Sequence, residues 1–380
     1  MGSAPTRREA GAGWDDRRAM TESAAPAPAA DGTPVAWFGG VVATGLREIT
    51  SDPEALDSSG WWAVVSTYEG HHRFARFDHV RPRRAGERPT GAWRGPGRED
   101  WRSSLDEPAY VAAVEHVRAR IAEGAVYQAN VCRVLTADLP DPDHSDLLGL
   151  AGLLEAHNPA PYGGVVRLPG CEVVTASPEL FLRRDGDRVE SRPIKGTGRT
   201  AADLSDKDRA ENVMIVDLVR NDLGAVSVTG SVGVPALCAV EQHPGLVHLV
   251  STVEGRLRPD AGWAELFDAA FPPGSVTGAP KRRAVEVLRE VEPVPRGPYC
   301  GAVGWVDADR GTAELAVGIR TFWREGDRLC FGTGAGITWG SDPRREWTET
   351  ELKAAHLLAV AAGEAGPRTE QATTSSEETA

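Results

Sequence analysis

A hairpin pattern near the middle of the chain constrains how this sequence can fold. Two runs of strand-forming residues, 179–183 and 189–192, flank the turn signal Arg184-Asp185-Gly186-Asp187. Asp and Gly in such a position favour a tight antiparallel turn. The returning strand leads directly into Lys195, so the hairpin would bring Glu179 and Lys195 together. The sequence therefore predicts an antiparallel sheet that carries a carboxylic acid and an amine in one pocket.

Lys195 has neighbours that are unusual for a solvated lysine. Pro193, Ile194 and Gly196 are apolar or small, and such surroundings disfavour the charged ammonium form by desolvation. We therefore predict that Lys195 is a nucleophile and that Glu179 is an acid facing the same substrate. The alternative for an isolated pair is an ordinary hairpin with two surface charges.

Composition limits the classes of function. The chain has 380 residues, of which 41% are hydrophobic, enough for one large domain or two smaller ones. Its 55 acidic and 42 basic side chains give a net charge of -13, which argues against broad contact with nucleic acid or anionic lipid. The five cysteines form no C-x-x-C pair, so neither a disulfide framework nor a zinc site is indicated, and a reducing cytoplasm is expected. Neither an apolar signal segment nor a membrane-spanning run is evident.

Composition also divides the chain into four parts. Residues 1–33 are rich in Ala, Pro and Gly, and residues 364–380 in Thr, Ser and Glu, so both are predicted to be disordered tails. Residues 34–97 contain short β-like runs broken by Gly and Pro. Residues 98–363 carry a clear alternation of helix and strand patterns.

The clearest pattern begins at Glu107, where apolar residues recur at helical spacing until Gly124 ends the run. Further helices are predicted over 145–157, 205–223, 261–271, 279–291 and 343–362, with strands over 126–139, 165–167 and 173–191 and a three-stranded meander over 301–336. Helices interleaved with mostly antiparallel hairpins indicate the α+β class, with large mixed or antiparallel sheets covered by helices.

Five motifs follow one another along residues 100–362. They are Tyr127-Gln128-Ala129-Asn130, Pro193-Ile194-Lys195-Gly196-Thr197, Arg209-Ala210-Glu211-Asn212-Val213-Met214, Gly274-Ser275-Val276-Thr277-Gly278-Ala279-Pro280-Lys281 and Gly334-Ala335-Gly336-Ile337. With these motifs the sequence resembles the chorismate-utilising enzymes, and within that family it is most similar to the aminodeoxychorismate synthase branch. The resemblance implies an anthranilate synthase component I-like fold and makes residues 98–363 the chorismate-binding catalytic domain.

Two pairs of carboxylates are candidates for metal ligands. Asp208 and Glu211 lie three residues apart on one predicted helix, as do Glu346 and Glu349 on another, so each pair shares a helix face. Opposed faces of this kind suit Mg²⁺, which takes oxygen ligands and keeps several waters. The resemblance implies that Glu211 and Glu346 bind Mg²⁺ directly and that the other two act through water. Because Lys207 and other basic residues stand beside them, solvated helix faces are the alternative.

The resemblance also implies a set of substrate contacts. Arg320, in a predicted strand, would hold the pyruvyl carboxylate, because a guanidinium can bind a carboxylate with two hydrogen bonds. A glycine-rich turn at Gly334, Ala335 and Gly336 would let backbone N–H groups approach an anion. The other positions implied to line the substrate are Tyr299, Thr277, His248, Lys353 and Gln128. From the residues alone, His248 could equally be a core histidine.

Two positions bear on the nucleophile. Relatives that add water carry a lysine base where this chain has Gln128, and glutamine cannot act as that base, so ammonia is the expected nucleophile. Anthranilate synthases typically have alanine where this chain has Lys195. The resemblance therefore implies that Lys195 adds at C2 of chorismate while Glu179 protonates the leaving C4 hydroxyl. Ammonia would then add at C4 and expel the lysine from C2, giving 4-amino-4-deoxychorismate, a precursor of p-aminobenzoate and folate.

Ammonia in this family comes from a glutamine amidotransferase whose cysteine lies in a glycine-rich elbow. None of the five cysteines here has that context, so a separate amidotransferase subunit is the expected partner. The enzymatic alternative is formation of anthranilate or 2-amino-2-deoxyisochorismate, and a second alternative is a catalytically silent amidotransferase-binding subunit. The short, diverged N-terminal part argues against an allosteric tryptophan site.

Overall fold

The computed structural model describes residues 32–198, 200–243 and 246–364. The two predicted tails lie outside these ranges, apart from residues 32, 33 and 364. The strands are β1 (Val35–Phe38), β2 (Val41–Thr50), β3 (Trp61–Ser66), β4 (His72–Pro82), β5 (Arg102–Ser103), β6 (Gln128–Asp138), β7 (Tyr162–Leu168), β8 (Cys171–Ser177), β9 (Leu180–Asp185), β10 (Arg188–Arg192), β11 (Ile194–Gly198), β12 (Gly233–His243), β13 (Leu246–Arg256), β14 (Gly278–Ala279), β15 (Ala302–Asp307), β16 (Thr312–Val317), β17 (Thr321–Glu325) and β18 (Arg328–Ile337). The α-helices are α1 (Glu107–Ala122), α2 (Leu147–His157), α3 (Asp206–Gly224), α4 (Trp263–Ala270), α5 (Lys281–Val291) and α6 (Pro343–Ala361).

Antiparallel pairing is the rule among these strands, which form one continuous hydrogen-bonded network. The longest ladder joins β6 to β18 over ten residue pairs. Helices α2 and α6 share one apolar cluster with β6, β8 and β18, while α3 and α4 share another with β3 and β4. The prediction of an α+β fold with large antiparallel sheets covered by helices is confirmed.

The central hairpin forms as predicted. Strands β9 and β10 pair antiparallel around a turn in which Gly186 has a φ of 61°, a conformation that glycine adopts without the steric cost of a Cβ. The hairpin is flanked by β16 on one side and β13 on the other. Strand β11 continues β10 along the same β13, and Arg192 pairs with Leu180 of β9, so Lys195 follows close to Glu179.

Two local predictions are wrong. Residues 301–336 form four strands rather than a three-stranded meander, because the chain leaves the sheet at 318–320 and β16 and β17 then pair with different neighbours, β9 and β8. Arg320 therefore lies in a connection and not in a strand, and its φ is 51°. Residues 225–260, for which no strand is predicted, form β12 and β13. Two register shifts in β12 and a φ of 52° at Cys238 interrupt the alternation of apolar and polar side chains that would identify a strand there.

The N-terminal β-rich segment joins the network of the following residues. Strand β1 pairs with β7, and β3 pairs with β15. Strands β2 and β4, which the broken β-like pattern does not resolve, pair with each other along most of their length. In the described residues no helix is both long enough and apolar enough to cross a membrane.

Side-chain caps define where four helices begin. Asp106, Asp146, Ser205 and Asp342 each accept a hydrogen bond from a backbone N–H in the first turn of α1, α2, α3 and α6, respectively. At α3 the cap is reciprocal, because the Asp208 carboxylate accepts a hydrogen bond from the Ser205 N–H at 2.8 Å. This cap fixes the helix start that carries the first pair of predicted metal ligands.

A buried ion pair joins the ends of three helices. Lys281 Nζ, at the start of α5, donates hydrogen bonds to Asp222 Oδ2 of α3 and to the Ala270 carbonyl of α4, each at 2.8 Å. Burial raises the pKa of Asp222 to about 6, although Lys281 opposes this rise. The turn at 274–276 lies against the same part of α3, because a Cβ added at Gly274 would contact Leu218 and Asp222. The ion pair thus supports the position of that turn.

We expect Asp222→Ala to lower the free energy of unfolding by about 3 kcal/mol, because it leaves the Lys281 ammonium buried without its carboxylate. The double variant Asp222→Leu, Lys281→Met should recover much of this loss, since it removes both charges. Urea denaturation followed by circular dichroism measures both. The matched control is Asp217→Ala on the same helix, whose pair with Arg220 is exposed and should change stability by less than about 1 kcal/mol. Equal effects at positions 222 and 217 would contradict the structural role of the buried pair.

Candidate active site

A cleft of about 570 Å³ opens among β9, β11, β13, β18, α3 and α6. Charged and polar side chains converge on it from separate parts of the chain. Those that line it include Asn130, Glu179, Lys195, Lys207, Asp208, Glu211, His248, Ser275, Tyr299, Arg320, Glu346, Glu349 and Lys353. A concave site with this density of charge is the best candidate for the active site.

Lys195 and Glu179 lie in one part of this cleft, and Ser275 joins them. Lys195 Nζ donates a hydrogen bond to the Ser275 carbonyl oxygen at 3.0 Å. The Ser275 hydroxyl and the Ile194 N–H both lie close enough to the Glu179 carboxyl group to act on it electrostatically. The hairpin prediction that placed an amine and an acid together is consistent with this geometry. The apolar residues next to Lys195 in the sequence do not describe its surroundings in space. The carboxylates of Glu179 and Glu211 both interact electrostatically with its amine.

Glu179 is suited to hold a proton. Its side chain is buried, and burial raises its pKa above the ordinary value, while the Ser275 hydroxyl, the Lys195 charge and the Ile194 N–H each oppose that rise. A carboxyl group with a raised pKa is more often protonated near neutral pH and can donate a proton. The arrangement therefore places a candidate general acid beside a candidate nucleophile.

Two of the four predicted metal ligands face each other across Lys207. Lys207 Nζ lies 3.6 Å from Glu211 Oε1 and 3.5 Å from Glu346 Oε1. Burial alone would lower the pKa of Lys207, but Glu346 and Glu211 outweigh it and raise the pKa above its ordinary value. Burial raises the pKa of Glu211, and Glu346 adds to this rise while Lys195 and Lys207 oppose it. The two carboxylates thus gather around a positive charge.

The other two predicted ligands have protein partners. Asp208 accepts hydrogen bonds from the backbone N–H and the hydroxyl of Ser205, and Glu349 pairs with Lys353 at 2.7 Å. Among the described residues no group of three or more His, Cys, Asp or Glu side chains is arranged to hold a metal ion. Glu211 and Glu346 nevertheless fit Mg²⁺, because this cation commonly takes one or two protein carboxylates and completes its shell with water and substrate.

The cleft contains most of the predicted substrate contacts. Arg320 lines it from the connection between β16 and β17, and Tyr299 and His248 line it from buried positions. Lys353 on α6 reaches across to donate a hydrogen bond to the Gly334 carbonyl at 3.0 Å. The site therefore carries two cationic side chains that could bind carboxylates of a substrate.

Thr277 and Ala335 are not brought to the cleft. The Thr277 hydroxyl is fully buried and donates to the Pro273 carbonyl at 2.9 Å, so it stabilises the turn that presents Ser275. Ala335 points into the apolar cluster formed with α1 and α5, because successive residues of a strand face opposite sides. The predicted glycine-rich turn is instead part of β18, whose residues pair with β6. Gly334 and Gly336 do line the cleft.

Gln128 lies beside the cleft rather than among the side chains that line its surface. Its amide oxygen Oε1 is buried and has no hydrogen-bond partner in the structure. A Cβ added at Gly336 would clash with Gln128 Nε2 and lie 3.8 Å from Lys195 Nζ. The absence of a side chain at Gly336 therefore gives the Gln128 amide its place close to the Lys195 amine. The Gln128 atom nearest to Gly336 is therefore the amide nitrogen Nε2, which is a hydrogen-bond donor.

Ser275 and Lys207 are the functional candidates that sequence reasoning missed. Ser275 stands in the same motif as Thr277, and only the conformation of the 274–276 turn decides which hydroxyl faces the cleft. Lys207 adjoins Asp208 and enters the sequence prediction only through the alternative of solvated helix faces. A signal was available for Lys207, because residues 207 and 211 are spaced for an i,i+4 ion pair on one helix.

Comparison with known proteins shows which proteins this chain is similar to. Residues 11–359 match the family described as chorismate binding enzyme. Anthranilate synthase component 1 from Haloarcula marismortui is 42% identical over 268 residues, which cover 67% of this chain and 54% of that protein. Aminodeoxychorismate synthase component 1 from Escherichia coli is 36% identical over 271 residues, 68% of this chain and 59% of that protein. The chain thus spans little more than half the length of these two relatives.

A solved structure shows the same fold. Anthranilate synthase component I from Streptococcus pneumoniae superposes with a TM-score of 0.70, covering 90% of this chain and 95% of that chain at 22% sequence identity. The predicted anthranilate synthase component I-like fold is therefore confirmed. The family match over residues 11–359 establishes that the chain belongs to the chorismate-binding enzyme family.

Proposed function

We propose that this chain is the synthase component of an aminodeoxychorismate synthase and converts chorismate and ammonia into 4-amino-4-deoxychorismate. The observation that carries the proposal is the placement of the Lys195 amine between the Ser275 carbonyl, the Glu179 carboxyl group and the Gln128 amide. Relatives named for aminodeoxychorismate and for anthranilate synthesis are of comparable similarity. The choice between the two reactions therefore depends on the residues of the site.

In the first step the lone pair of Lys195 Nζ forms a bond to C2 of chorismate. The ring π electrons shift, the bond from C4 to its hydroxyl oxygen breaks, and Glu179 gives its proton to that oxygen, which leaves as water. The Ser275 carbonyl accepts one N–H of the amine, so the lone pair is directed away from it. A protein nucleophile that replaces one difficult substitution by two easier ones is typical of covalent catalysis.

In the second step ammonia forms a bond to C4 and the bond from C2 to Lys195 Nζ breaks. The π electrons return to their original positions, the lysine leaves as a neutral amine with both its protons, and the new ammonium group loses one proton to the Glu179 carboxylate. Both groups are thereby restored. The Gln128 amide has no basicity with which to activate water in place of ammonia.

Charged side chains would bind the rest of the substrate. Arg320 and Lys353, both in the cleft, would contact its carboxylates. Glu211 and Glu346 would hold Mg²⁺, which when bound neutralises carboxylate charge next to these acidic side chains.

A separate glutamine amidotransferase is the proposed source of ammonia. An enzyme of that kind needs an accessible cysteine nucleophile, whereas Cys132, Cys300 and Cys330 are buried here and burial raises the pKa of Cys132 and Cys330. The product retains its pyruvyl group, so another enzyme would release p-aminobenzoate on the way to folate.

Purified protein with chorismate, Mg²⁺ and a high ammonium concentration at alkaline pH should yield 4-amino-4-deoxychorismate, identified by chromatography and mass spectrometry. Lys195→Ala should lower the rate by at least about a thousandfold, because it removes the nucleophile. Formation of anthranilate, of isochorismate or of no product by the unaltered chain would refute the proposal.

Intact-protein mass spectrometry supplies the control for this test. Chorismate and Mg²⁺ without ammonia should leave a fraction of the protein carrying the dehydrated substrate on Lys195, and this adduct should be absent from Lys195→Ala. If the variant is folded and retains the rate of the original chain, Lys195 is not the nucleophile.

Glu211→Gln and Glu346→Gln should each weaken Mg²⁺ binding by about tenfold or more, because each removes one of two charged oxygen ligands. Titration calorimetry with Mg²⁺ measures this without reference to activity. Glu364→Gln is the control, since Glu364 is half exposed and pairs with Arg98. Unchanged Mg²⁺ affinity in both cleft variants would remove these residues from the proposed metal site.

Gly336→Ala should lower kcat/KM for ammonia by about tenfold or more with little change in Tm, because the added methyl group displaces the Gln128 amide. Gly340→Ala is the matched control, as a Cβ there would meet nothing within 4 Å. Steady-state kinetics with ammonium as the varied substrate compares the two variants. Equal kinetics for both would show that the position of Gln128 does not affect amination.

A further inference from the structure

Arg133 is a buried cation of β6 that is not among the residues lining the cleft. Only 2% of its surface is exposed, and its donor groups reach three different side chains. Its Nε donates to Thr350 Oγ1 at 3.0 Å, one terminal nitrogen donates to Ser103 Oγ at 3.1 Å, and the other donates to the Glu351 carboxylate. Arg133 Cζ also lies 4.1 Å from the centroid of the Trp347 ring. Three of these four partners belong to α6, so Arg133 fixes this helix against β6.

Helix α6 carries two adjacent rows of side chains with different surroundings. One row lines the cleft and consists of Glu346, Glu349 and Lys353, which are spaced to share one face of the helix. The neighbouring row begins one residue later and consists of the three residues that Arg133 contacts. Because both rows belong to one helix, the contacts with Arg133 fix the direction in which the cleft row points.

A small rotation of α6 about its axis would change the position of the Glu346 carboxylate. Side-chain atoms on an α-helix lie about 5 to 6 Å from its axis. A rotation of about 10° would therefore move this carboxylate by about 1 Å. Since Mg²⁺ demands near-ideal octahedral geometry, a displacement of this size is enough to weaken its binding.

Other contacts keep α6 in the fold independently of Arg133. Asp342 caps its first turn, the Thr333 hydroxyl donates to the Thr350 carbonyl at 3.0 Å, and the second half of the helix contributes to an apolar cluster shared with α2. The Glu351 side chain is 56% exposed, so replacing Arg133 leaves no buried carboxylate without a partner. An effect of Arg133 on the orientation of α6 can therefore be measured in a folded protein.

We propose that Arg133 is a positioning residue for the divalent-cation site: by holding α6 in one rotation about its axis, it directs the Glu346 carboxylate toward Glu211 and so sets the affinity for Mg²⁺. These two carboxylates are already directed at one point, because Lys207 Nζ lies 3.5 Å from Glu346 Oε1 and 3.6 Å from Glu211 Oε1. The inference rests on the proposed function only in that the two carboxylates hold Mg²⁺. Residues that orient the ligands of a metal commonly change its affinity by about 10- to 100-fold when they are replaced.

Titration calorimetry with Mg²⁺ tests this inference without reference to activity, at a temperature at which circular dichroism shows each variant to be folded. Arg133→Met should weaken Mg²⁺ binding by about tenfold or more. Arg133→Lys keeps a charge near Trp347, but one ammonium group cannot replace three hydrogen bonds to separate side chains, so its affinity should be intermediate. Arg324→Met is the matched control, because Arg324 is also largely buried and donates to three backbone carbonyls that do not belong to α6. Unchanged affinity in folded Arg133→Met, or an equal loss in Arg324→Met, would overturn the proposal.

A change on the α6 side of the contact gives a milder second test. Thr350→Val keeps the shape of the side chain and removes the oxygen that accepts from Arg133 Nε, so it should also weaken Mg²⁺ binding. The double variant Arg133→Met, Thr350→Val should bind Mg²⁺ about as well as Arg133→Met alone, because both changes break the same interaction. Losses that multiply in the double variant would contradict the proposal. If Arg133→Met does not fold, Thr350→Val decides, and an unchanged affinity in that variant overturns the role of Arg133.

The result for the unaltered chain separates this inference from the proposed function. If the unaltered chain binds no Mg²⁺, the proposed metal site is refuted and the role of Arg133 is refuted with it. If the unaltered chain and the folded Arg133 variants bind Mg²⁺ equally well, the metal site stands and only the positioning role of Arg133 is overturned.

Discussion

The Arg296 guanidinium is the interaction on which the geometry of the cleft depends. It is almost completely buried and donates to the Asn130 carbonyl at 2.7 Å and to the Val276 carbonyl at 2.9 Å. Glu292 neutralises the guanidinium through two further hydrogen bonds, and Arg296 Cζ lies 4.0 Å from the centroid of the Tyr68 ring. A buried charge of this kind is tolerated only when it is paired and its donors are satisfied. Arg296 satisfies that requirement by tying together strand β6 and the 274–276 turn, which are two walls of the site.

The same principle governs the acidic side of the cleft. The chain has a net charge of -13 and its proposed substrate is anionic, so the proposed function requires that the local negative charge be offset. Lys207 does so between Glu211 and Glu346 in the structure, and a divalent cation would do so more strongly. Since burial raises the pKa of Glu211, any positive charge brought close to it favours its ionised form. We infer that Lys207 keeps the two carboxylates preorganised for a cation that competes with it.

Much of the architecture could be predicted because it depends on local patterns. The helix over 107–122 follows from apolar spacing and its Asp106 cap, and the hairpin at 184–187 follows from its turn residues. Strands β12 and β13 could not be predicted because register shifts in their pairing interrupt the alternation of side chains between the two faces. The same distinction between local and long-range patterns applies to the residues of the site. The proximity of Glu179 and Lys195 could be predicted because a hairpin joins them. Arg296 instead binds Asn130 and Val276, which lie 166 and 20 positions away in sequence, and no local pattern predicts such contacts.

The environment of Lys195 shows why sequence neighbours are a poor guide to a reactive group. Pro193, Ile194 and Gly196 suggested an apolar pocket, yet the amine meets a carbonyl oxygen from Ser275 and the fields of two carboxylates. Its orientation is therefore set by a turn about eighty residues later in the chain. That turn is held by Arg296 on one side, and by α3 with its Asp222 to Lys281 pair on the other. Two buried cations that never touch the cleft surface thus determine where the proposed nucleophile points.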